Sequence, residues 1–389
     1  MTAPTQTAQH GLSEHSHGAG VPIQTRYERP RSTNVADFPQ ISTREEQWRY
    51  LAPERLKGLD QDALSEFEGE VSITHGDGVT VELVDATHPA FGSAGIPEER
   101  PSAAAWGSAK QAYLISLEAE QKSEAQISIQ SSSVDPSAIH LIIDAKKFAE
   151  STVILDHKGD AVLSENVEIV VGDEAQLTVI SIQDWNSESV HASTQMARLG
   201  RNSKLKHLVV SLGGKTVRVA SSTEFTGPGG DVEMLGLYFA DAGQYLENRL
   251  YVDHAVPNCK SRVTYKGALQ GEKAHTVWVG DVLIRMAAEG TDTYELNRNL
   301  LLTDGARADS VPNLEIETGK IEGAGHASAS GRFDDEQLFY LQARGITELE
   351  ARRLVVRGFL NEIIQQIDNE DIRTRLSDSI EAELERSGS

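Results

Sequence analysis

Short apolar runs alternate with polar residues over most of the chain, from about residue 75 to residue 320. Val, Ile, Leu and Thr dominate these runs, and Gly, Asp and Asn interrupt them, as at 167–171, 177–182 and 276–279. A two-residue alternation bounded by turn residues is typical of half-buried β-strands. The pattern therefore predicts a mainly β core over residues 76–330.

A glycine-led corner recurs between these runs. Five segments begin with Gly, then two residues of which at least one is polar, then a small or β-branched residue, at Gly172, Gly200, Gly229, Gly271 and Gly305. A turn glycine adopts positive φ at little cost, and two short strands fit between successive corners. This spacing favours a β-solenoid of stacked coils, with insertions where the steps are unequal, over the alternative of a β-sandwich.

The N-terminal residues lack this alternation. Residues 1–40 are rich in Ser, Thr, Pro and Gly, which predicts a disordered tail, although its His15 and His17 have the spacing of a metal chelate. Thr43 and Glu46 have the spacing of a helix capping box and precede Trp48, so we expect a helical segment over 41–75.

Beyond residue 331 the pattern becomes helical to residue 389. Asp334 and Thr347 are each followed three residues later by Gln or Glu, as in a capping box, and Gly345 is suited to end the first helix. The second helix has an apolar stripe too wide for one neighbour. A third helix places its apolar residues four apart, at Ile372, Leu376, Ile380 and Leu384.

Composition narrows the possible functions. The net charge is −23, from 36 basic and 59 acidic residues, which disfavours nucleic-acid binding. No apolar run is long enough to span a membrane, and the first residues do not resemble a secretory signal. The single cysteine, Cys259, fits a reducing cytoplasm and excludes a cluster held by several thiolates of this chain. A partner would have to supply further metal ligands.

Glycine motifs at two places do not indicate nucleotide binding. Gly213 to Thr216 resembles the end of a phosphate loop, but position 209 is Val209 and a strand pattern follows where a helix is needed. Gly323 and Gly325 begin a dinucleotide fingerprint that Ser328 does not complete. We therefore expect no nucleotide hydrolysis by this chain.

One histidine has an unusual setting. His326 lies among Gly, Ala and Ser, just before a helix start. An ordinary loop imidazole bonded to backbone is one interpretation. Neutral imidazole is also a frequent iron ligand, and small neighbours would leave room for ligands from a second chain.

Three motifs together resemble the SufB/SufD family. They are Thr291-Asp-Thr-Tyr-Glu-Leu-Asn-Arg-Asn-Leu-Leu-Leu302, Pro312-Asn-Leu-Glu-Ile316, and Gly325-His-Ala-Ser-Ala with Phe339-Tyr-Leu-Gln-Ala-Arg-Gly-Ile346. The resemblance is dense from about residue 250 to 365. It implies a non-catalytic scaffold for iron–sulfur cluster assembly, built as a right-handed parallel β-helix with helical ends. It also implies a heterodimer with a SufB-type paralogue and an association with the SufC-type ATPase.

The resemblance is greatest to SufD. SufB-type chains have a functional cysteine at the position of Ala308 and a glutamate at that of Ala327, and both are absent here. The resemblance thus implies that His326 lends one ligand to a site that the partner completes. The iron–sulfur cluster would be transient and present only in the complex, with no cofactor in the isolated chain.

The C-terminal helices are the expected docking surface for the ATPase. The residues predicted to contact it are Phe339, Tyr340, Arg344, Gly345, Phe359 and Leu360. Their alternative role is to cap the open end of the solenoid, as terminal repeats do. Two other functions stay open: a carbohydrate-binding or carbohydrate-cleaving β-helix, and an active SufB-type scaffold.

Overall fold

The computed structural model describes residues 29–333 and 335–386. Most of this chain is β-strand. The strands are β1 Ser65–Glu66, β2 Glu70–His75, β3 Val79–Asp85, β4 Gln111–Leu117, β5 Lys122–Ala145, β6 Glu150–Val171, β7 Gln176–Trp185, β8 Val190–Leu199, β9 Lys204–Ser211, β10 Thr216–Phe225, β11 Asp231–Ala240, β12 Tyr245–His254, β13 Lys260–Leu269, β14 His275–Ile284, β15 Asp292–Leu301, β16 Arg307–Ile316 and β17 Gly323–Arg332.

From β6 onward the strands build a flattened parallel solenoid. Sheet 1 contains β8, β10, β12, β14 and β16, and sheet 2 contains β7, β9, β11, β13, β15 and β17, with all neighbours parallel and in register. The long strands β5 and β6 contribute to both sheets: they pair parallel with each other along both halves, and β6 then pairs first with β7 and, after its bend, with β8. The predicted β-solenoid is confirmed, and the sandwich alternative is wrong.

The two ends of the solenoid differ. At the N-terminal end β2 pairs antiparallel with β5, and β3 pairs antiparallel with β4, so the first coil is covered by strands of opposite direction. At the other end β16 and β17 are the last rungs, and no described strand pairs beyond them. The described antiparallel strands at the N-terminal end cover the first coil and leave no edge of it to which another chain could add a strand. The edges of β16 and β17 at the other end could still accept such a strand.

The interior of the solenoid holds every second side chain of both sheets. In β11 the inward residues include Val232, Met234 and Tyr238, whereas Leu237 and Phe239 face outward. Apolar outward residues are buried as well, because other parts of the chain cover both sheets. This explains why many strands are nearly continuous apolar runs rather than strict alternations.

The corners differ from the sequence prediction. The stacked left-handed residues of one corner are Phe148, Glu174, Asn202, Gly229, Asn258 and Gly290. Gly172 and Gly200 lie two residues before this position, and Gly271 and Gly305 belong to the opposite corner. The five glycines are therefore not one repeat. The unequal step of 42 residues, from Gly229 to Gly271, leads from one corner to the opposite one and does not indicate an insertion.

Order begins earlier than the sequence predicts. Residues 29–40 were expected to be disordered, but Arg29 lies over the Tyr251 ring at 3.8 Å and Phe38 is buried. The tail prediction is thus wrong for residues 29–40, and residues 1–28, with His10, His15 and His17, lie outside the described chain. Charge explains the difference, because Arg29 and Arg31 both pair with Glu98.

The N-terminal segment covers the outer face of sheet 1 with 3-10 helices. These helices are Val35–Asp37, Glu46–Trp48 and Pro53–Leu56. The predicted capping box at Thr43 is absent, because the second helix begins after Glu45 without a side-chain cap. The α-helix at this end is α1 (Arg100–Ser108), which lies inside the region predicted as pure β core.

A buried ion cluster fixes this segment to the sheet. The Arg218 guanidinium carbon lies 4.1 Å from the centre of the Trp48 ring, and its nitrogens contact Glu99 at 2.7 Å and Glu247 at 2.5 Å. A buried cation needs such partners to offset its lost hydration.

Three helices follow the solenoid: α2 (Asp335–Gln342), α3 (Glu348–Ile364) and α4 (Glu370–Arg386). The capping box of Thr347 with Glu350 is confirmed, and Gly345 has the positive φ of a helix stop, +85°. Asp334, the other predicted cap, lies outside the described residues. Among the described helices, none has both the length and the apolar character needed to cross a membrane.

These helices pack on the outer face of sheet 2. Val356, Leu360 and Ile363 of α3 join Leu208, Leu235 and Phe239 of the sheet in one apolar cluster, which also holds the four predicted seam residues of α4. Most of the wide apolar stripe of α3 is therefore buried against other parts of this chain. Leu354 of the same helix is nevertheless 43% exposed, so docking of a partner on these helices stays a prediction. The alternative that the helices cap the open end is wrong, because they cover the outer face of sheet 2.

One ion pair ties α4 to the solenoid. Arg375 donates two hydrogen bonds to Asp156 of β6, at 2.6 and 2.8 Å. Burial alone would raise the pKa of Asp156, but the Arg375 guanidinium outweighs it and holds that pKa below its ordinary value of 3.8. The bond therefore stabilises the fold above that pH and is lost as the pH falls further.

We expect Arg375→Gln to lower the free energy of unfolding by about 2 kcal/mol at neutral pH, because Asp156 stays buried without its partner. The difference from the wild type should shrink in acid, as the pH falls below 3.8 and through the lowered pKa at which Asp156 takes up a proton in the wild type as well. Denaturant titrations at both pH values measure it.

Arg357→Gln is the matched control, because its ion pair with Glu381 is long, 3.5 Å, and largely exposed. It should change the free energy of unfolding by less than about 0.5 kcal/mol. Equal losses in the two variants would contradict the role of Arg375.

Candidate functional site at the open end of the solenoid

The last coil exposes its interior side chains. Its β17 directs Ala324, His326, Ser328 and Ser330 toward the lumen, in register with Thr293, Glu295, Asn297 and Asn299 one coil below. In every earlier coil the next rung covers such residues. Here His326, Ser328 and Ser330 are exposed. The end of the solenoid is thus a shallow polar surface framed by two strand edges.

His326 lies in the middle of β17, not in a loop as one interpretation held. Its neighbours Gly325 and Ala327 face the other side of the sheet, so they leave no space beside the imidazole. Gly325 makes room for the Tyr294 ring, since a Cβ there would lie 3.2 Å from that ring. The space around His326 comes instead from the small inward residues Ala324 and Ser328 and from the missing next coil.

Glu295 lies directly below His326, with the two strands about 4.8 Å apart. The Glu295 side chain is buried, and neither carboxylate oxygen has a hydrogen-bond partner among the described residues. Gly280 makes room for it, because a Cβ there would lie 2.4 Å from Oε1. Burial, and then the charge of Asp281, raises the pKa of Glu295 to about 8. Glu295 is therefore mainly protonated at neutral pH.

A hydrogen-bonded network fills the lumen beside Glu295. Tyr238 donates to Asn299 at 2.6 Å, and Asn297 donates to the Tyr238 hydroxyl at 2.9 Å. Asn299 also reaches Ser310 of β16 and Ser330 of β17, both at 3.3 Å. This network fixes the floor of the open end and connects both sheets.

Ala308 faces the same lumen from the opposite sheet. It is an inward residue of β16 and packs on the interior core. The position at which the resemblance places the SufB-type cysteine thus shares the last coil with His326. Cys259 lies elsewhere, at a lower corner, where it is buried and burial raises the pKa of its thiol. The described open end therefore offers one imidazole and several hydroxyls, but no thiolate.

The residues predicted to contact a partner fall into two groups. Phe339 and Tyr340 of α2 are 73% and 55% exposed, and exposed Arg344 lies 4.4 Å from the Tyr340 ring centre, near exposed Gly345. Leu360 is fully buried, and Phe359 packs against the same cluster. We therefore withdraw Leu360 as a direct contact, because α3 uses it to pack on sheet 2.

Glu295 is a residue of this site that no sequence motif indicated. A signal was present in the alternation, because residues 293, 295, 297 and 299 are all polar at positions that should share one face. Four polar residues at alternate positions of a strand indicate either that they line a polar lumen or that their face of the sheet is exposed to solvent. Only the packing of the helices on the opposite side of β15 decides between them.

Fold and site together define a class of protein: a parallel β-solenoid that presents a potential metal ligand at an uncovered end. Residues 127–359 match the family described as SUF system FeS cluster assembly, SufBD core domain. The chain is 48% identical to an iron–sulfur cluster assembly SufBD family protein of Mycobacterium bovis, over 99% of this chain and 97% of the relative. It is 50% identical to one of Mycobacterium leprae, over 91% and 93%. The chain belongs to the SufBD family of iron–sulfur cluster assembly proteins.

A more distant relative is also informative. A second SufBD family protein of the same Mycobacterium bovis strain is 28% identical, over 55% of this chain and 25% of its own length. At least two members of the family thus occur in one organism.

We expect the stability of the isolated chain to fall as the pH rises from 4.5 toward 8, because the pKa of Glu295 is higher in the folded protein than in the unfolded one. Glu295→Gln keeps the shape without the ionisation. Its free energy of unfolding should match the wild type near pH 4 and exceed it by at least about 1 kcal/mol near pH 8.5.

Urea titrations at both pH values test this. Glu233→Gln is the control, since Glu233 is an outward, half-exposed residue of β11. A Glu295→Gln variant that parallels the wild type at every pH would contradict a buried, proton-holding Glu295.

Proposed function

We propose that this chain acts as a SufD-like subunit of a SufBCD-type complex, and that His326 lends one ligand to a cluster site shared with a SufB-type partner. The observation behind this is the placement of His326 on the inward face of the last coil, exposed at the open end. An ordinary structural histidine would be covered by the next rung.

The shape of the open end favours a partner of the same fold. The strands β16 and β17 keep free edges, and the apolar side chains of Tyr294 and Ile316 are 43% and 45% exposed close to them. A second solenoid that places its own last coil here would pair those edges and cover the exposed residues. The occurrence of two SufBD family proteins in one organism supports a paralogue as that partner.

The chemistry of the shared site follows from what this chain lacks. With Ala308 and Ala327 at the positions of the reactive SufB residues, the partner would contribute the thiolate and the carboxylate. A neutral Nε2 or Nδ1 of His326 would be the ligand from this side. The cluster is cargo built between the chains, so it would be transient, and the isolated chain would hold none.

Glu295 has a defined part in this proposal. A protonated carboxyl below His326 is neutral, so it does not repel incoming thiolates and sulfide, whereas an ionised carboxylate would. When a cation binds above it, the same carboxyl loses its proton more readily, because the nearby positive charge favours the anion. The lumen can therefore adjust its charge to the presence of iron without a change of fold.

The ATPase would dock on α2. Phe339 and Tyr340 are the most exposed aromatic side chains among the described residues of the C-terminal helices, and most of the remaining apolar surface there is used internally, with Leu354 as an exposed exception. Aromatic residues with a neighbouring arginine are typical anchors of protein interfaces. The chain itself would be a non-catalytic, cytoplasmic scaffold. A carbohydrate-active β-helix has no further support once the family is established.

We expect His326→Ala to leave folding and complex formation intact and to abolish cluster formation, because the side chain is exposed and contributes little to the core. The measurement is anaerobic visible absorbance, with iron and sulfide analysis, of the complex co-purified with its SufB-type and SufC-type partners.

The control is His75→Ala, an exposed histidine of β2 at the covered end. It should leave the cluster yield unchanged. A normal yield from the His326→Ala complex would return His326 to a structural role, and a complex that fails to assemble would show that His326 serves the interface instead.

We expect the double variant Phe339→Ala/Tyr340→Ala to weaken binding of the SufC-type ATPase by at least about tenfold, since anchor aromatics contribute about 2 kcal/mol or more each. Because both side chains are exposed, the melting temperature should not change. Titration of the ATPase, followed by calorimetry, measures the affinity.

Point substitutions test the docking site better than removal of the whole C-terminal region, because removal would expose the apolar outer face of sheet 2. Phe148→Ala, a 46% exposed phenylalanine at a distant corner, is the matched control. Unchanged affinity in the double variant would exclude α2 as the docking site.

A further inference from the structure

Three ionisable side chains meet inside the solenoid, far along the chain from His326. They are His157 and Glu165, on either side of the bend of β6, and His191 of β8. All three are fully buried. Nε2 of His157 lies 2.9 Å from Oε1 of Glu165, and Nε2 of His191 lies 3.5 Å from Oε2. The fold thus aims two imidazoles at one carboxylate.

The outer nitrogen of each imidazole is already bound. Nδ1 of His157 lies 3.0 Å from the backbone oxygen of Ile182, and Nδ1 of His191 lies 2.8 Å from Oε1 of Gln183. Both oxygens accept, so each Nδ1 carries the hydrogen. In the neutral tautomer that follows, both Nε2 atoms direct a lone pair toward Glu165.

With both Nε2 lone pairs directed at it, the Glu165 carboxylate accepts a hydrogen bond from the Ser193 hydroxyl but none from an imidazole. A proton on Nε2 of His157 would let that nitrogen donate to Oε1 of Glu165, 2.9 Å away. Nε2 of His191 has no hydrogen-bond partner among the described residues. One buried nitrogen is left without a bond, which is costly.

The same geometry suits a metal ion. Histidines that bind metal usually donate their other ring hydrogen to a carbonyl or carboxylate, which orients the ring, and both imidazoles here do so. The three ligand atoms lie within 4.8 Å of one another. Atoms bound to one tetrahedral ion at about 2.1 Å lie about 3.4 Å apart, so the widest separation in the group has to contract by up to about 1.4 Å when the ion binds.

We propose that His157, Glu165 and His191 bind one divalent transition-metal ion, Zn²⁺ or Fe²⁺, in the interior of the solenoid. Two imidazoles and one carboxylate are a ligand set that both ions accept. Ser193, whose hydroxyl donates to Oε2 of Glu165 at 2.7 Å, holds the carboxylate in place. The ion is structural, because the site is enclosed, and it enters as the chain folds.

The test separates this site from other histidines. A full-length background protein with His10, His15, His17 and His326 replaced by alanine removes the tail chelate and the open-end ligand. After unfolding with chelator and refolding with Zn²⁺, then dialysis against EDTA, elemental analysis should find about one ion per chain. Glu165→Gln or His191→Gln in this background should lower the content at least about tenfold.

His254→Gln is the matched control, because His254 is also buried inside the solenoid but is bonded to the Ser261 hydroxyl at 2.9 Å and does not belong to a group of three metal-ligating side chains in the described chain. It should retain the ion. If the Glu165 and His191 variants do not fold, refolding the background protein with Co²⁺ decides the question, and we expect the visible absorption bands of a four- or five-coordinate ion. Background protein without retained Zn²⁺ and without these bands, or variants that keep the ion, would overturn the proposal.

Discussion

In-register parallel pairing from coil to coil is the constraint on which the rest of this structure depends. Each residue of β11 lies directly over its partner in β9 and under its partner in β13, so inward and outward faces never exchange along a sheet. One residue of slip would move every inward side chain to the surface. Large and small residues must therefore alternate between coils: Gly236 and Gly267 leave the volume that the Tyr265 and Tyr238 rings fill.

The same constraint decides where function can be located. A stacked coil satisfies its backbone and covers its interior with the next coil, and the chain covers its own outer faces, with the N-terminal segment on sheet 1 and the C-terminal helices on sheet 2. The last coil alone has a free interior and free strand edges among the described parts of the chain. A scaffold that shares a site with a second chain needs such a surface, and the family to which the chain belongs assembles iron–sulfur clusters.

Buried charges have two different roles. Arg218 with Glu99 and Glu247, and Arg375 with Asp156, join distant segments, and in both cases opposite charges and hydrogen bonds offset the lost hydration. They specify which face each end of the chain covers. Glu295 and the group of His157, Glu165 and His191 lack a full set of partners. Buried polar groups without a partner are costly, and they are the reason that we propose a proton on Glu295 and a cation between His157, Glu165 and His191.

The sequence by itself determined the solenoid, the helical end and the exposed aromatic pair of α2, because alternation, turn residues and helix caps are local signals. Single positions of the sequence also indicated that His326 stands alone and that no cysteine lies near it. Only the tertiary structure decided the rest. It assigned the five glycines to two different corners, buried Leu360 under α3 and placed Glu295 below His326. Residues 157, 165 and 191 meet only because β6 bends and the next coil stacks on it. Contacts of this kind depend on the strand register and on which face another element covers. A local stretch of sequence determines neither of these.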